Sequence, residues 1–539
     1  MPPRSAVIIG AGPGGLIALR ELRAAGIDAV VLEAADDIGG VYAPARVYAD
    51  ALLTTSSNMV SFGCHPAPQP ESPVMWSADE YMLYLRGFVA AHGLAPHIHF
   101  STRVTAVALR SGGGGDARVD VTAEPAGGGA AALRTVDHVV VCTGLNTHAP
   151  PLEDVLPGLA GFAGTALHSS QLRGPAQLAG KRVLVVGAGE SGADIALMAA
   201  RAAAAAALST RAGPGYLIPR YAFGLPSDVD TCRGYHSLPR WLLRSPWHAA
   251  KLQLEALCLG PGDDRPVLAV AAEINAARGR GPFQRFGCKN TSIAEGVLRH
   301  GLLYRPGVAG FAGRDVTFTD GSVFADVDVV VACTGYRTRF PFLEAAHPQL
   351  AASLRDLRGS LFKCALHPDC GTRLTFCGFA RPALGAIPPV AELTARYLAG
   401  LLAGELPLPP RHAMLAAIAR DAAADRATFP DDAGRVGALT DYAPLMDSLA
   451  GLVGARPSLP RLLLGGHWAL AWRVLFSSLS GAQFRLHGRG AMWAVAAPAL
   501  SRYPSLPLPV ALWELLAFLG CAALGGAGIG SCALLMHTA

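Results

Sequence analysis

Two glycine runs of the same spacing lie far apart in this chain. They are Gly10-Ala11-Gly12-Pro13-Gly14-Gly15 and Gly187-Ala188-Gly189-Glu190-Ser191-Gly192. The chemistry of such a run is the binding of a pyrophosphate. Its first glycine permits a tight turn, its second lets backbone N–H groups approach the phosphates, and its third lets the following helix pack closely on its strand. The elements that must position these residues are legible beside them. Each run follows a short apolar segment, Ala6 to Ile9 or Val183 to Val186, and opens an Ala/Leu-rich stretch of helical pattern. Two such sites imply two dinucleotides, and a protein that holds two commonly passes electrons between them.

The next strand tip distinguishes the two sites. Val30-Val31-Leu32-Glu33 reads as a buried strand ending in an acid, 18 positions past Gly15. A carboxylate there accepts hydrogen bonds from a ribose and repels a 2′-phosphate, which suits FAD or NAD. The corresponding strand of the second site reads Ala207-Leu208-Ser209-Thr210-Arg211 and has no acid at its tip. Arg211, with the hydroxyls of Ser209 and Thr210, offers a cationic, donor-rich place for a 2′-phosphate. The expectation is FAD at the first site and NADPH at the second.

The 539 residues leave room for two or three domains, and with 51% hydrophobic and 16% charged residues the chain can bury a large core. The net charge of +5 is spread thinly, and no basic run alternates with aromatics, so a nucleic-acid partner is not expected. The eleven cysteines are scattered without a Cys-x-x-Cys, which fits a reducing compartment. Cys364, His367, Cys370 and Cys377 lack a zinc-site spacing, and no metal is expected. The first strand begins at Ala6, leaving no place for a signal peptide. Leu515 to Met536 is uncharged and long enough to cross or enter a bilayer, with Trp513 at its edge. Its glycines leave a buried or loose tail as the alternative. Gly526 and Gly530 are too slight a signal to argue a homo-oligomer, which stays open.

Residues 1–165 read as the first segment of an FAD-binding domain. Residues 166–320 read as an inserted NADPH-binding domain, 321–445 as the returning FAD segment, 446–507 as a C-terminal extension and 508–539 as a hydrophobic anchor. Two buried strands running into Thr-Gly mark the divisions, Val139 to Gly144 and Val329 to Gly335. The second is read as the return from the insertion. Ala202 to Ala207 reads as a continuation of the helix after Gly192. The fold class is therefore α/β, with two Rossmann-like dinucleotide-binding domains, one inserted in the other, plus a C-terminal hydrophobic helix.

Taken together, these residues resemble the flavin-containing monooxygenases, over nearly the whole length. Gly39-Gly40-Val41-Tyr42 stands where that family has Gly-Gly-x-Trp, and Glu80 to Leu85 matches a Glu-x-x-x-Tyr-Leu helix. Phe162 to His168 matches Phe-x-Gly-x-x-x-His. Cys333-Thr334-Gly335-Tyr336 stands for Ala-Thr-Gly-Tyr, and Glu392 to Tyr397 for Glu-Leu-Gln-x-Arg-Trp. Gln483 to Gly488 resembles the Gln-Tyr-Arg-Leu-x-Gly of the animal-type members, which carry a hydrophobic tail. Three places depart from the pattern: Leu172 replaces an aromatic after the signature His, Tyr42 replaces Trp, and Thr55 stands where the family places an Asn at the flavin.

The resemblance implies FAD and NADPH as cofactors. It also implies a C4a-hydroperoxyflavin that passes one oxygen of O₂ to a soft nitrogen- or sulfur-containing small molecule. Thr55 and Asn58 are the implied catalytic pair, and Thr55 implies leakage of hydrogen peroxide. Gly40, Val41, Tyr42, Thr54, Thr55 and Val104 join the first run and Glu33 as implied cofactor contacts. Ser191, Ala193, Asp194, Thr210, Arg211, Thr334 and Gly335 join the second. The animal-type tail implies attachment to the endoplasmic reticulum with the catalytic part in the cytosol. His168 is read as holding the linker between domains. Alternatives on the same fold are a Baeyer–Villiger oxygenase of ketones and an NADPH oxidase. The first is weakened because Ser169 to Arg173 supplies no aromatic.

Overall fold

The computed structural model describes residues 4–110, 118–125, 127–211, 213–222, 224–238, 264–277, 287–429, 439–508 and 510–512. The expected tail Leu515–Met536, with Trp513, lies outside these residues. Among the described residues no helix is long and apolar enough to cross a membrane.

Two five-stranded parallel sheets carry the molecule. The elements of the first half are β1 (Ser5–Ile9), α1 (Pro13–Ala24), β2 (Asp28–Leu32), β3 (Ile98–His99) and β4 (His138–Val141). Then come β5 (Thr165–His168), β6 (Arg182–Val186), α2 (Glu190–Ala202), β7 (Ala205–Ser209), β8 (Leu303–Arg305) and β9 (Val329–Ala332). The chain returns through β10 (Leu374–Phe376) and α3 (Ile387–Leu402). The first sheet has the order β10-β4-β1-β2-β3, the second β8-β7-β6-β9-β5. Continuous apolar runs such as Val7-Ile8-Ile9 and Val183-Leu184-Val185 become central strands because both faces of a parallel sheet are covered. Pro13 starts α1 at a position whose missing N–H costs nothing.

Two expectations are corrected here. Val329–Ala332, read as part of the returning segment that begins at 321, belongs to the second sheet, between β5 and β6. The strand that rejoins the first sheet is Leu374–Phe376, against β4. A short all-apolar strand carries no record of which sheet it enters. The alanine run likewise does not prolong α2. The helix ends at Ala202, and Ala205–Ser209 pairs in register with Arg182–Val186. Ladder hydrogen bonds across a buried sheet outweigh the helical preference of alanine, which is a few tenths of a kcal/mol per residue.

The two sheets build their glycine turns alike. A Cβ on Gly15 would lie 1.8 Å from the Gly10 carbonyl oxygen, and one on Gly192 would lie 1.9 Å from that of Gly187. Beside each turn the neighbouring strand ends in the same tripeptide, Cys142-Thr143-Gly144 or Cys333-Thr334-Gly335. A Cβ on Gly10 would come within 2.9 Å of the Cys142 oxygen, and one on Gly187 within 2.4 Å of that of Cys333.

The C-terminal helices Tyr442–Leu452, Trp468–Phe476 and Trp493–Arg502 tie the units together. Arg233 makes a bidentate pair with Asp447, at 2.7 and 2.9 Å. Arg485 is fully buried between Glu21 of α1 and Glu392 of α3. Glu21, Glu392 and Cys64 sit close enough to suggest a cation site, and the Arg485 guanidinium lies on both of those carboxylates.

Candidate functional site

A cavity of about 2200 Å³ opens between the two units. Single-ligand pockets are commonly about 300–1,000 Å³, so this space has room for more than one ligand. Its walls run from the second glycine turn, across Thr54 and Thr55, to Gly385 and Ala386 at the N-terminal end of α3. Most expected site residues meet here. Val41, Tyr42, Thr54 and Thr55 line it from the first unit, and Gly187, Gly189, Ser191, Gly192, Asp194, Thr210, Arg211, Thr334 and Gly335 from the second. Ala193 is buried behind them in the core of the second unit.

The first glycine turn, with Gly10, Ala11, Gly12, Pro13, Gly14 and Gly15, lies outside that wall, at the start of α1. Glu33 sits at the tip of β2, where it was expected. Its two carboxylate oxygens accept from the backbone N–H of Ala11 at 2.6 Å and of Ala35 at 2.8 Å. A carboxylate offers about four acceptor sites, so two stay open for a ribose. Gly40 packs against Gly12, and Val104 joins the apolar cluster that holds Leu32.

Asn58 stands apart from this wall. Its amide donates to the Pro70 carbonyl at 2.7 Å, and it does not line the cavity. The loop turns Thr54 and Thr55 to the cavity because Asp228, from the second unit, holds it. Asp228 accepts from the Ser56 N–H at 2.5 Å and from the Ser56 hydroxyl at 2.9 Å. Burial pushes the Asp228 carboxyl up from its ordinary pKa, against the pull of these bonds.

Asp194, expected to contact nucleotide, is a hub of side chains. It accepts from the Tyr48 hydroxyl at 3.0 Å, from Arg220 at 2.9 Å and from the Asn290 amide at 2.5 Å. Burial, with the Asp194 charge, drives the Tyr48 phenol far above its ordinary range, so Tyr48 is a fixed donor. His168 holds the linker. Its Nε2 lies 3.0 Å from the Gly335 carbonyl and must donate, so Nδ1 accepts from the Ser170 N–H at 3.2 Å. Burial lowers its pKa and favours this neutral form.

Of the donors expected beside Arg211, the Ser209 hydroxyl is spent on the Pro306 carbonyl at 2.6 Å. Arg211 is exposed at the cavity rim, and no described carboxylate pairs with it. Thr143 and Thr334 end equivalent strands beside the two turns, and each has a buried hydroxyl oxygen without a partner. Unmet hydroxyls at matched places, beside turns whose outer glycines Gly10, Gly15, Gly187 and Gly192 leave no room for a side chain, fit a phosphate-bearing group at each.

Sequence reasoning missed Glu190, Asp228 and Lys289. Glu190, inside the second run, accepts from the Lys289 N–H at 2.8 Å. Burial pushes its carboxyl up and the Lys289 ammonium down. Nothing in the local pattern marks them, since Lys289 depends on a two-residue strand, Gly287–Cys288, placed against Tyr216–Leu217.

The family model described as flavin-binding monooxygenase-like matches residues 4–255 and 279–503. The chain belongs to this family. It is a flavin-binding oxidoreductase, and FAD and NADPH are the cofactors that the family and the paired glycine turns bring. A 4-hydroxybenzoate brominase (decarboxylating) of Pseudoalteromonas luteoviolacea is 31% identical over 518 residues, covering 93% of each chain. Flavin-containing monooxygenase 5 of Rattus norvegicus is 29% identical over 507 residues, covering 92% of this chain and 91% of its own. Among solved structures, the closed form of cyclohexanone monooxygenase superposes with a TM-score of 0.60 at 18% identity, covering 86% of this chain and 98% of that one. That last likeness is one of fold.

Proposed function

We infer that this flavoprotein uses NADPH and O₂ to pass one oxygen atom to a small, soft nucleophile carrying nitrogen or sulfur. The observation that carries this reading is the single cavity shared by the second glycine turn and the Thr54–Thr55 loop. When bound and reduced, the flavin supplies the activated oxygen. The protein's share is positional. The Asp228–Ser56 bonds fix the loop that presents Thr55, and the Asp194 hub ties Tyr48 of the first unit to the helix that opens the second site. Thr55 is 4% exposed, which keeps bulk water from the place where oxygen would be handled. No triad or carboxylate pair is needed.

The test is rapid mixing of NADPH-reduced, FAD-loaded protein with oxygenated buffer. The expected result is a transient flavin absorbance, distinct from the oxidised and reduced forms, that decays faster with a sulfide or tertiary amine. Direct return to oxidised flavin with one peroxide per NADPH would replace this reading by an oxidase. Thr55→Asn should lower peroxide release, because an amide donates two hydrogen bonds where the hydroxyl donates one.

A second reading has its own support. The 31%-identical relative is a brominase by name, and bromide is also a soft nucleophile. Bromide in the place of that nucleophile would be oxidised to hypobromous acid, with water as the other product, NADPH and bromide each supplying two of the four electrons that O₂ takes up. Bromide quickening the same decay, with a brominated phenol as product, would favour it over oxygen transfer to sulfur.

Arg211 is proposed to hold the 2′-phosphate. Charge-assisted bonds contribute about 1.5–3 kcal/mol, so Arg211→Ser should raise the KM for NADPH about ten- to hundredfold and leave NADH nearly unchanged. Equal losses with both coenzymes would remove Arg211 from that role.

A further inference from the structure

Lys289 belongs to the second unit by its backbone and reaches the first by its side chain. Its N–H donates to Glu190 at the start of α2, while its ammonium donates to the Gly385 carbonyl at 3.2 Å, two residues before α3. Lys289 is 7% exposed and lines the cavity with Gly385 and Arg381. An ammonium carries three donors, and one is used among the described residues. Arg381 is near enough for its charge to oppose that of Lys289. The positive end of α3 adds to the same potential.

Two carboxylates face this ammonium without bonding to it. Glu190 is engaged by the Lys289 N–H and, at 3.8 Å, by the Cys288 thiol. Asp228 is engaged by Ser56. Burial pushes both carboxyls toward their neutral form, which weakens them as counter-ions. A buried cation with open donors is costly until an anion completes it.

We propose that Lys289 and Arg381 form a subsite for the carboxylate of the substrate, which makes the substrate a small organic acid bearing the soft atom elsewhere. This rests on the monooxygenase reading and deepens it. The alternative anion is a coenzyme phosphate, but the two glycine turns already provide for phosphates. The Lys289 side chain leads away from the second turn, to the seam with the first unit.

The experiment compares 4-(methylthio)benzoate with 4-(methylthio)benzamide, alike in shape and differing in charge, on the full-length FAD-loaded enzyme. Binding is read from the flavin spectrum with NADP⁺ present, and sulfoxide formation from product analysis. The acid should bind at least about tenfold tighter than the amide. Lys289→Gln should abolish that preference, and Lys289→Arg should retain most of it. Equal wild-type affinities for acid and amide would overturn the subsite whether or not the variants fold. Sulfoxide from both compounds would leave the monooxygenase standing in that case. Tighter binding of the acid with no sulfoxide would keep the subsite and sink the oxygen-transfer reading. A Lys289→Gln protein that loses NADP⁺ affinity yet keeps the acid preference would assign the ammonium to the coenzyme and overturn the proposal.

Discussion

A Gly15→Ala protein will purify colourless, whereas a Gly192→Ala protein will stay yellow and fail to be reduced by NADPH. The reason is geometric and the same at both sites. The added methyl would sit 1.8 Å from the Gly10 oxygen in one case and 1.9 Å from the Gly187 oxygen in the other. Both obstacles are backbone, inside turns that are themselves pinned by Cys142 and Cys333. Relief requires the helix to move off its strand, and that motion moves the N–H groups meant for the phosphates. Overpacking of this kind costs about 1–3 kcal/mol or more, enough for about a hundredfold loss of affinity at each site. Flavin absorbance per protein and the NADPH reduction rate separate the two effects, with thermal melting as the check on folding. If Gly192→Ala also loses its flavin, or Gly15→Ala retains it, the assignment of cofactors to turns is wrong.

Arg485→Met should be the most destabilising single change outside the glycine turns. The guanidinium is fully buried, donates to Glu392 at 2.6 Å and to the Gly490 carbonyl at 2.7 Å, and pairs with Glu21. Glu21 and Glu392 are themselves 3% and 2% exposed. Removing the cation leaves two carboxylates buried without it, a loss of about 3–5 kcal/mol. Domains usually have about 5–15 kcal/mol in all, so the melting temperature should fall by at least about 6 °C.

The pH dependence has a definite sign. Burial alone would raise the Glu21 carboxyl. The charges of Arg485 and Arg20, with the Arg485 hydrogen bond, outweigh burial and hold it below its ordinary value of 4.5. A depressed carboxyl contributes fully above its unfolded pKa, and that contribution fades as pH falls through the folded one. The gap between wild type and Arg485→Met should therefore be widest near neutrality and narrow below about pH 4.5. A gap that is absent at pH 7, or that widens in acid, would show that the cluster does not work this way.

What was legible in the sequence was local. The glycine spacing, the apolar run before each turn and Glu33 at its strand tip all lie within one βα unit, and they appear where they were expected. What was not legible depended on which distant segment a residue meets. Val329–Ala332 shows its burial in its composition but not its choice of sheet. Asn58 looked available beside Thr55, yet the Pro70 carbonyl claims its amide. Lys289 is one cation in a Gly-Cys-Lys-Asn run, and only the meeting of α2 with Gly385 gives it a place. Asp194 had the right address near the second turn, and its partners come from three separate parts of the chain.

The Arg485 cluster also bears on how the chain is made. Glu21 and the arginine that completes it are 464 residues apart. At roughly 5–20 residues per second, a ribosome needs about 20–90 s to cover that interval. For most of that time α1 also lacks its packing partner α3, and until Arg485 emerges its cluster with Glu21 and Glu392 stays open. The domain that begins the chain is therefore among the last to finish folding. A message cut short before residue 485 would yield a polypeptide with both glycine turns and an unfinished first unit, a natural client for chaperones and proteases.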